Sequence, residues 1–345
     1  MGLQFKDLVV KQEIVIKDLN GKILAIDAMN MLYQFLTTIR AADGSALTDS
    51  HGSVTSHLIG LFNRTTSLME DGLKLVFVFD GKAPEIKKKT WEKRSAIKKE
   101  AQLKLEGAKE TGNLAEMRKF ASRTAILDKE MIQEAQKVIA ALGLPIVQAP
   151  SEGEAQTAYM VKKGLAYASV SQDYDNLIFE CPRMIRNLSI AGRRKKTGKL
   201  GYQIVNPEMI LLKDVLKELG LNLDQLIILA ILIGTDYNPG GIKGIGPKKA
   251  LKLVKENQDF EQIFKEVNWQ EFYLDLDWRE IFNTIKNMPV TDDYNLKWQP
   301  VDEETLVKLL VKIHDFNEER VRSKLERLRK ENRKLEQKGL NLFFN

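Results

Sequence analysis

Four short apolar runs, each the length of a strand and each ending in carboxylates, constrain this chain more than any other feature. They are Ile23 to Ile26, Leu75 to Phe79, Pro145 to Val147 and Ala166 to Val170. Asp27 closes the first and Asp80 the second, Glu152 and Glu154 follow the third, and Asp173 and Asp175 follow the fourth. Between them lie stretches of helical periodicity: Met29 to Arg40, Val54 to Met69 and Ile126 to Leu142. Continuous apolar strands alternating with amphipathic helices predict an α/β fold, a mostly parallel central sheet with helices on both faces. Such sheets bind ligands outside the carboxyl ends of their strands, so these acids are expected to converge on one crevice. Asp236 joins them from Gly234-Thr235-Asp236, directly after the apolar helical run Leu226 to Ile233.

Taken singly, each acid has a plainer explanation. Ser151-x-x-Glu154 reads as a capping box, Asp80-Gly81 as a turn, and Asp173 or Asp175 as a helix cap. The conjunction reads differently, because several carboxylates in one low-dielectric cleft repel one another unless a cation neutralises them. With one cysteine, Cys181, and three histidines, His51, His57 and His314, no Cys/His zinc site can be assembled, so a metal must be held by oxygen. Oxygen-only coordination points to Mg²⁺, with Mn²⁺ as the alternative, and a site with this many carboxylates suits two ions. Two such ions can activate water and stabilise a departing oxygen at a phosphodiester without a histidine.

The 345 residues allow about two domains of roughly 150 residues or one α/β domain with insertions. A hydrophobic share of 43% and a charged share of 29% predict a soluble, folded chain. The longest clean apolar run, Leu226 to Ile233, falls far short of the roughly 20 residues of a membrane span. Nothing near Met1 resembles a signal segment, and Lys6 stands where a myristoylation signal needs Ser or Thr. These features, with the single cysteine, give the expectation of an intracellular protein with no membrane partner.

The net charge of +6 favours a polyanionic partner, and its distribution says more than its size. Lys82 to Arg123 alone carries thirteen Lys and Arg against six Glu, a net of +7 that exceeds the charge of the whole chain. Its sparse apolar residues make only a thin stripe, which predicts a helical insertion outside the core; charge alone favours a solvated face. Further basic patches are Arg193-Arg194-Lys195-Lys196 with Lys199, and Lys243, Lys248, Lys249 and Lys252 around a glycine cluster. Glu318 to Lys338 is almost wholly charged and reads as a solvated C-terminal helix.

At this point the ordered motifs resemble a known family, the flap endonucleases, which are structure-specific 5′ nucleases. The matching stretches are Ala25-Ile26-Asp27-Ala28 with Tyr33-Gln34-Phe35-Leu36, Phe77-Val78-Phe79-Asp80-Gly81-Lys82, and Ala149-Pro150-Ser151-Glu152-Gly153-Glu154-Ala155. They continue with Ser171-Gln172-Asp173-Tyr174-Asp175, Gly234-Thr235-Asp236-Tyr237 and Gly244-Ile245-Gly246-Pro247-Lys248-Lys249-Ala250. The likeness runs in order over essentially the whole chain. It departs at Asn176 to Pro182, where the family has a serine and small residues, and at the end, where Asn345 closes the chain without the long basic tail of eukaryotic members. That ending is most like the archaeal members and implies a cytoplasmic or nucleoid setting with no nuclear address.

The resemblance implies a metal-dependent enzyme that removes 5′ flaps from branched duplex DNA in Okazaki-fragment maturation and repair, with accompanying 5′–3′ exonuclease activity. It implies a two-Mg²⁺ site built from Asp27, Asp80, Glu152, Glu154, Asp173, Asp175 and Asp236, the last acting through water. Lys87 and Arg94 become catalytic cations, seven residues apart on one face of a helix starting near Pro84. Tyr33 stacks on a base beside the cut, and Gly2 brings the amino terminus to the DNA. Gly244, Gly246, Lys248 and Lys249 form a helix-hairpin-helix turn on the duplex backbone, with a K⁺ ion. The basic insertion becomes a helical arch that guides a single-stranded 5′ end.

The last residues fit the pattern of peptides that bind the sliding clamp (PCNA), through Gln337, Leu340, Phe343 and Phe344. The expected organisation is one nuclease domain over residues 1–330, with the arch at 82–130 and the helix-hairpin-helix at 237–256, then a flexible clamp-binding tail at 331–345. The protein alone is expected to be monomeric. A non-catalytic junction binder is disfavoured by the seven intact carboxylates. A PIN-type ribonuclease is disfavoured by the helix-hairpin-helix and the tail, both of which suit duplex DNA.

Overall fold

A computed structural model describes residues 3–195 and 202–343. The side chains of Lys89, Trp91, Lys93, Arg94, residues 193–195, Gln203 and residues 332–343 lie outside that description. The strands are β1 Gln12–Glu13, β2 Ile23–Asp27, β3 Lys74–Phe79, β4 Ile146–Gln148, β5 Ala168–Val170, β6 Arg183–Arg186, β7 Gly192–Lys195, β8 Tyr202–Val205 and β9 Glu208–Leu211. Seven of them form the main sheet in the order β1-β9-β6-β5-β2-β3-β4, and β7 and β8 pair as a separate ribbon.

The five strands from β6 to β4 run parallel, and β9 closes one side antiparallel to β6. The sheet is therefore mostly parallel. Its central strands β2, β3 and β5 are largely apolar because both faces are covered. Side chains alternate between two cores: Ala25, Val76 and Val78 pack on one face, and Leu24, Ile26, Leu75, Phe77 and Phe79 on the other. After the short edge strand β1, the chain enters the parallel part of the sheet at β2, in the middle, then builds outward first through β3 and β4 and later through β5 and β6. The strand order thus reverses beside β2, which opens a crevice at the carboxyl ends of β2, β3, β4 and β5.

The helices that frame this crevice are α1 Ala28–Thr38, α2 Ser56–Glu70, α3 Lys88–Glu110, α4 Leu114–Ala121, α5 Lys129–Ala141, α6 Gly153–Lys162, α7 Asp175–Ile178, α8 Leu212–Leu219, α9 Leu223–Ile233 and α10 Pro247–Glu256. Among them α9 is a core helix, every residue from Leu226 to Ile233 being buried. It starts at a capping box in which Asn222 and Gln225 satisfy each other's backbone N–H groups, each at 2.9 Å. Helices α9 and α10 flank the glycine turn. At Gly244, φ is +84°, a conformation that L side chains rarely adopt.

The basic insertion is α3 and α4, packed on each other between β3 and β4. Ala101, Leu105 and Ala108 are buried, whereas Ile97, Leu103 and Leu114 are exposed. The insertion is pinned to the loop after α1 where Arg118 Nε donates to the Ala42 carbonyl at 2.6 Å. Two expectations are corrected. Ser151 is not a capping residue: Glu152 holds the N-cap position of α6 without a side-chain bond, and Ser151 Oγ instead donates to the Lys82 carbonyl at 3.0 Å. The C-terminal helix Glu318–Phe343 is not simply solvated, because Val321, Leu325 and Leu328 are buried. They form an i, i+4, i+7 stripe, and the helix lies against α2, where Lys324 Nζ reaches the Asn63 carbonyl at 3.2 Å. Among the described residues no helix is long and apolar enough to cross a membrane.

Candidate active site

Each strand end delivers its acid for a local reason. Asp27 is the last residue of β2 and the N-cap of α1, accepting the Asn30 N–H at 2.9 Å. Asp80 follows β3 directly and accepts the Gly153 N–H at 2.7 Å, which ties the end of β3 to the start of α6. A Cβ on Gly81 would meet the Ala149 carbonyl oxygen at 2.1 Å, so the β3 and β4 ends approach this closely only because residue 81 is glycine. Glu152 and Glu154 bracket the first residue of α6. Asp173 receives the Asn30 side-chain amide at 2.8 Å. Asp175 opens α7 and accepts the Leu3 N–H at 3.3 Å.

Three of these acids, Asp27, Glu152 and Asp175, are among the buried charged residues of the chain. Burial, Asp80 and Asp173 push the Asp27 carboxyl up to about 8, against the opposing bonds from Asn30 and Ser171. Burial, Asp236 and Asp173 push Asp175 up to about 8. Asp80 rises to about 6, through burial and Glu152. Glu154 is pushed well above the usual carboxylate range by burial, then by Asp175, Asp27 and Asp173. The crevice is therefore a concentration of negative charge that its surroundings do not neutralise.

The one described cation inside it is Lys87, whose Nζ lies 2.8 Å from Glu152 Oε2 and 3.3 Å from Asp236 Oδ2. Burial works against its charge, but Glu152 and Asp236 outweigh burial and hold the ammonium above its ordinary range. Lys87 closes a 3₁₀ turn, Glu85–Lys87, and α3 begins only at Lys88. The turn thus leads straight into α3; the Arg94 side chain lies outside the described residues.

The donor set fits hard cations. It is all oxygen, it carries more negative charge than one lysine can balance, and Glu152 Oε1 is buried with no hydrogen-bond partner. Among the described residues no three carboxylates close on one point as a finished metal cage. Lys87 instead pairs with two of the acids.

The other expected residues fall where the fold puts them. Tyr33 is 39% exposed on α1, and Lys98 Nζ from the insertion lies 5.6 Å from its ring centroid. That places the ring on the surface, facing the insertion. Gly2 lies outside the described residues, but the buried Leu3 beside it already touches Asp175. Gly244, Gly246, Lys248 and Lys249 are exposed together at the α10 amino terminus. The backbone of residues 331–343 continues the C-terminal helix. The side chains of Gln337, Leu340 and Phe343, and all of Phe344, lie outside the described residues.

Several residues of the site were not singled out by sequence. Asn30 reaches Asp173 and accepts the Gln172 N–H at 3.2 Å. Ser171 Oγ lies 3.1 Å from Asp27 Oδ2 and 3.4 Å from Glu154 Oε1. The Thr90 hydroxyl, at the base of α3, donates to the Asp236 carbonyl. Asn30 sits one helical turn after Asp27 and Ser171 two residues before Asp173, so proximity to the acids was the available signal.

Comparison with known proteins fits this geometry. The XPG N-terminal domain matches residues 3–101 and the XPG I-region matches residues 143–236. All seven carboxylates fall inside these two regions, and the stretch between them holds most of the helical insertion. Fold and site thus define a protein of the XPG class. Flap endonuclease 1 of Pyrococcus abyssi is 52% identical over 330 residues, covering 96% of this chain and 94% of the relative. That of Pyrococcus furiosus is 51% identical over 344 residues, covering 100% and 99%. The solved flap endonuclease-1 from Methanococcus jannaschii superposes with a TM-score of 0.74 at 41% identity, covering 95% of this chain and 98% of that one. The chain belongs to the flap endonuclease 1 family.

Proposed function

We propose that this protein is a structure-specific 5′-flap endonuclease that hydrolyses a phosphodiester at the junction of branched DNA during replication and repair. The observation that carries the reading is the convergence, at the carboxyl ends of four parallel strands, of carboxylates too crowded and too buried to be ionised together without cations. Asp27, Asp80, Glu152, Glu154, Asp173 and Asp175 would hold two divalent ions, Mg²⁺ as the first choice, with Asp236 acting through water. Bound there, the ions supply Lewis-acid stabilisation of phosphoryl oxygens and a low-pKa water.

The chain's own residues do the rest. Lys87, paired with Glu152 and Asp236, offers a preformed cation beside the carboxylates, and it stabilises charge on the scissile phosphate when its partners turn to cations. Arg94 serves the same phosphate from two turns along α3. The exposed lysines of α3 and α4 form a charged path for a single strand, and Tyr33 presents its ring on that side of the site. Gly244, Gly246, Lys248 and Lys249 grip the duplex backbone, with K⁺ at the turn. The end of the chain, through Gln337, Leu340, Phe343 and Phe344, docks on the sliding clamp (PCNA).

The test is incubation with Mg²⁺ and labelled 5′-flap, 3′-flap, blunt-duplex and single-stranded DNA. Preferential cutting of the 5′ flap at its junction is the expected result, and equal cutting of single strands would refute the structure-specific reading.

A further inference from the structure

Behind the carboxylates lie three polar side chains that the site has not yet used, Thr157 in α6, Ser169 in β5 and Asn176 in α7, all 0% exposed. They form one network. Asn176 Nδ2 lies 3.1 Å from the Glu154 carbonyl oxygen, 2.9 Å from Thr157 Oγ1 and 3.0 Å from Ser169 Oγ. Ser169 Oγ donates to Thr157 Oγ1 at 2.9 Å, and Thr157 Oγ1 donates to the same Glu154 carbonyl at 2.9 Å. That carbonyl fixes which way the amide points, since the reverse orientation would set oxygen against oxygen. The arrangement carries a cost, because Asn176 Oδ1 is buried with no partner. Folded proteins keep few such groups, and each calls for a reason.

The reason lies in what the amide joins. Asn176 directly follows Asp175, and it reaches back to the main chain of Glu154. The two carboxylates sit close enough to repel each other. The amide ties the start of α7 to the start of α6, and the Asp175 carboxylate also accepts the Leu3 N–H at 3.3 Å. We infer that Asn176 is a positioning residue that fastens Glu154 to Asp175 through the Glu154 carbonyl, so that the oxygen donors are already spaced when a divalent cation arrives. The inference rests on the metal-site reading above. Ser169 and Thr157 hold the amide in place from the sheet and from α6.

The experiment compares wild type with Asn176→Ser and Ser169→Ala. It reads Ca²⁺ binding by calorimetry, half-saturating Mg²⁺ for single-turnover cleavage, flap-DNA affinity in Ca²⁺, and melting without metal. A serine at 176 cannot reach the Glu154 carbonyl, so Ca²⁺ binding should weaken about 10-fold, as is usual when a group supporting a ligand is lost. Half-saturating Mg²⁺ should rise by a similar factor, the rate should recover at saturating Mg²⁺, and flap-DNA affinity should stay put. Ser169→Ala, which touches neither carboxylate, should shift both metal readouts the same way by less, and it decides the matter alone if Asn176→Ser does not fold. Wild-type Ca²⁺ affinity in the folded variants, even with a lowered melting temperature, overturns the positioning role. No Ca²⁺ binding by wild type overturns the metal-site reading as well.

Discussion

Asp27→Asn isolates the electrostatic load that the crevice places on the fold. Asparagine caps a helix about as well as aspartate, so the bond that the Asn30 N–H of α1 donates to the side chain at position 27 survives, while the ionisable group and its acceptor for the Ser171 hydroxyl are lost. Burial, then Asp80 and Asp173, raise the Asp27 carboxyl from its ordinary 3.8 to about 8 in the folded state. A folded value above the unfolded one means that the folded chain holds the extra proton. Stability is then fullest below pH 3.8 and is lost as pH rises toward 8. One extra proton is worth about 1.4 kcal/mol per pH unit, and the group is half deprotonated at pH 8, so moving the metal-free protein from pH 6 to pH 8 should remove about 2 kcal/mol.

At about 2 °C per kcal/mol for a chain of this size, the wild type in EDTA should lose about 4 °C of melting temperature relative to Asp27→Asn over that interval. The buried His57, held down to about 4 chiefly by desolvation, titrates equally in both proteins and cancels. Saturating Mg²⁺ should raise the wild-type melting temperature more at pH 8 than at pH 6, and should do much less for the variant. Scanning calorimetry at the two pH values, with and without Mg²⁺, supplies all four numbers. A difference between wild type and variant that does not change with pH would refute the charge argument.

Other consequences are equally direct. Lys87→Ala should slow single-turnover cleavage by about 10²-fold with flap-DNA affinity retained, the usual size for losing a donor to the transition state; rapid quench checks it. Lys104→Ala or Lys109→Ala should instead weaken DNA binding and flatten its dependence on salt, read by fluorescence anisotropy at several KCl concentrations. Gly81→Ala should part the β3 and β4 ends, because the new Cβ meets the Ala149 backbone oxygen at 2.1 Å; activity should fall more than melting temperature. Truncation after Glu336 should leave cleavage of free flaps at the full-length rate and abolish stimulation by the clamp, each measured with the same substrate.

The strands and their acids were legible because both signals are local: a short apolar run fixes a buried strand, and the next polar residue must sit at its end. Asp27, Asp80, Glu152 and Asp173 could therefore be placed on one edge of the sheet before any coordinates. What lay beyond sequence was set by tertiary contact. Lys87 was singled out only through the family resemblance, and its pairing with Glu152 and Asp236 comes from the fold. Val321, Leu325 and Leu328 were hidden among arginines and lysines, although their spacing marks a buried stripe once α2 is there to receive it. Asn30 and Ser171 carry no chemical signature of their own, and their roles come from the carboxylates they touch.

The central claim is that the carboxylates at the strand ends perform the cleavage by holding divalent cations. Single-turnover cleavage of a 5′-flap substrate in Mg²⁺ by Asp173→Ala, alongside its binding to the same substrate in Ca²⁺, tests it most directly. The account predicts a rate about 10³-fold or more below wild type, since several kcal/mol of charge stabilisation goes with the ligand, while junction binding by the basic surfaces persists. A variant that binds the junction and cuts it at near the wild-type rate would contradict the account.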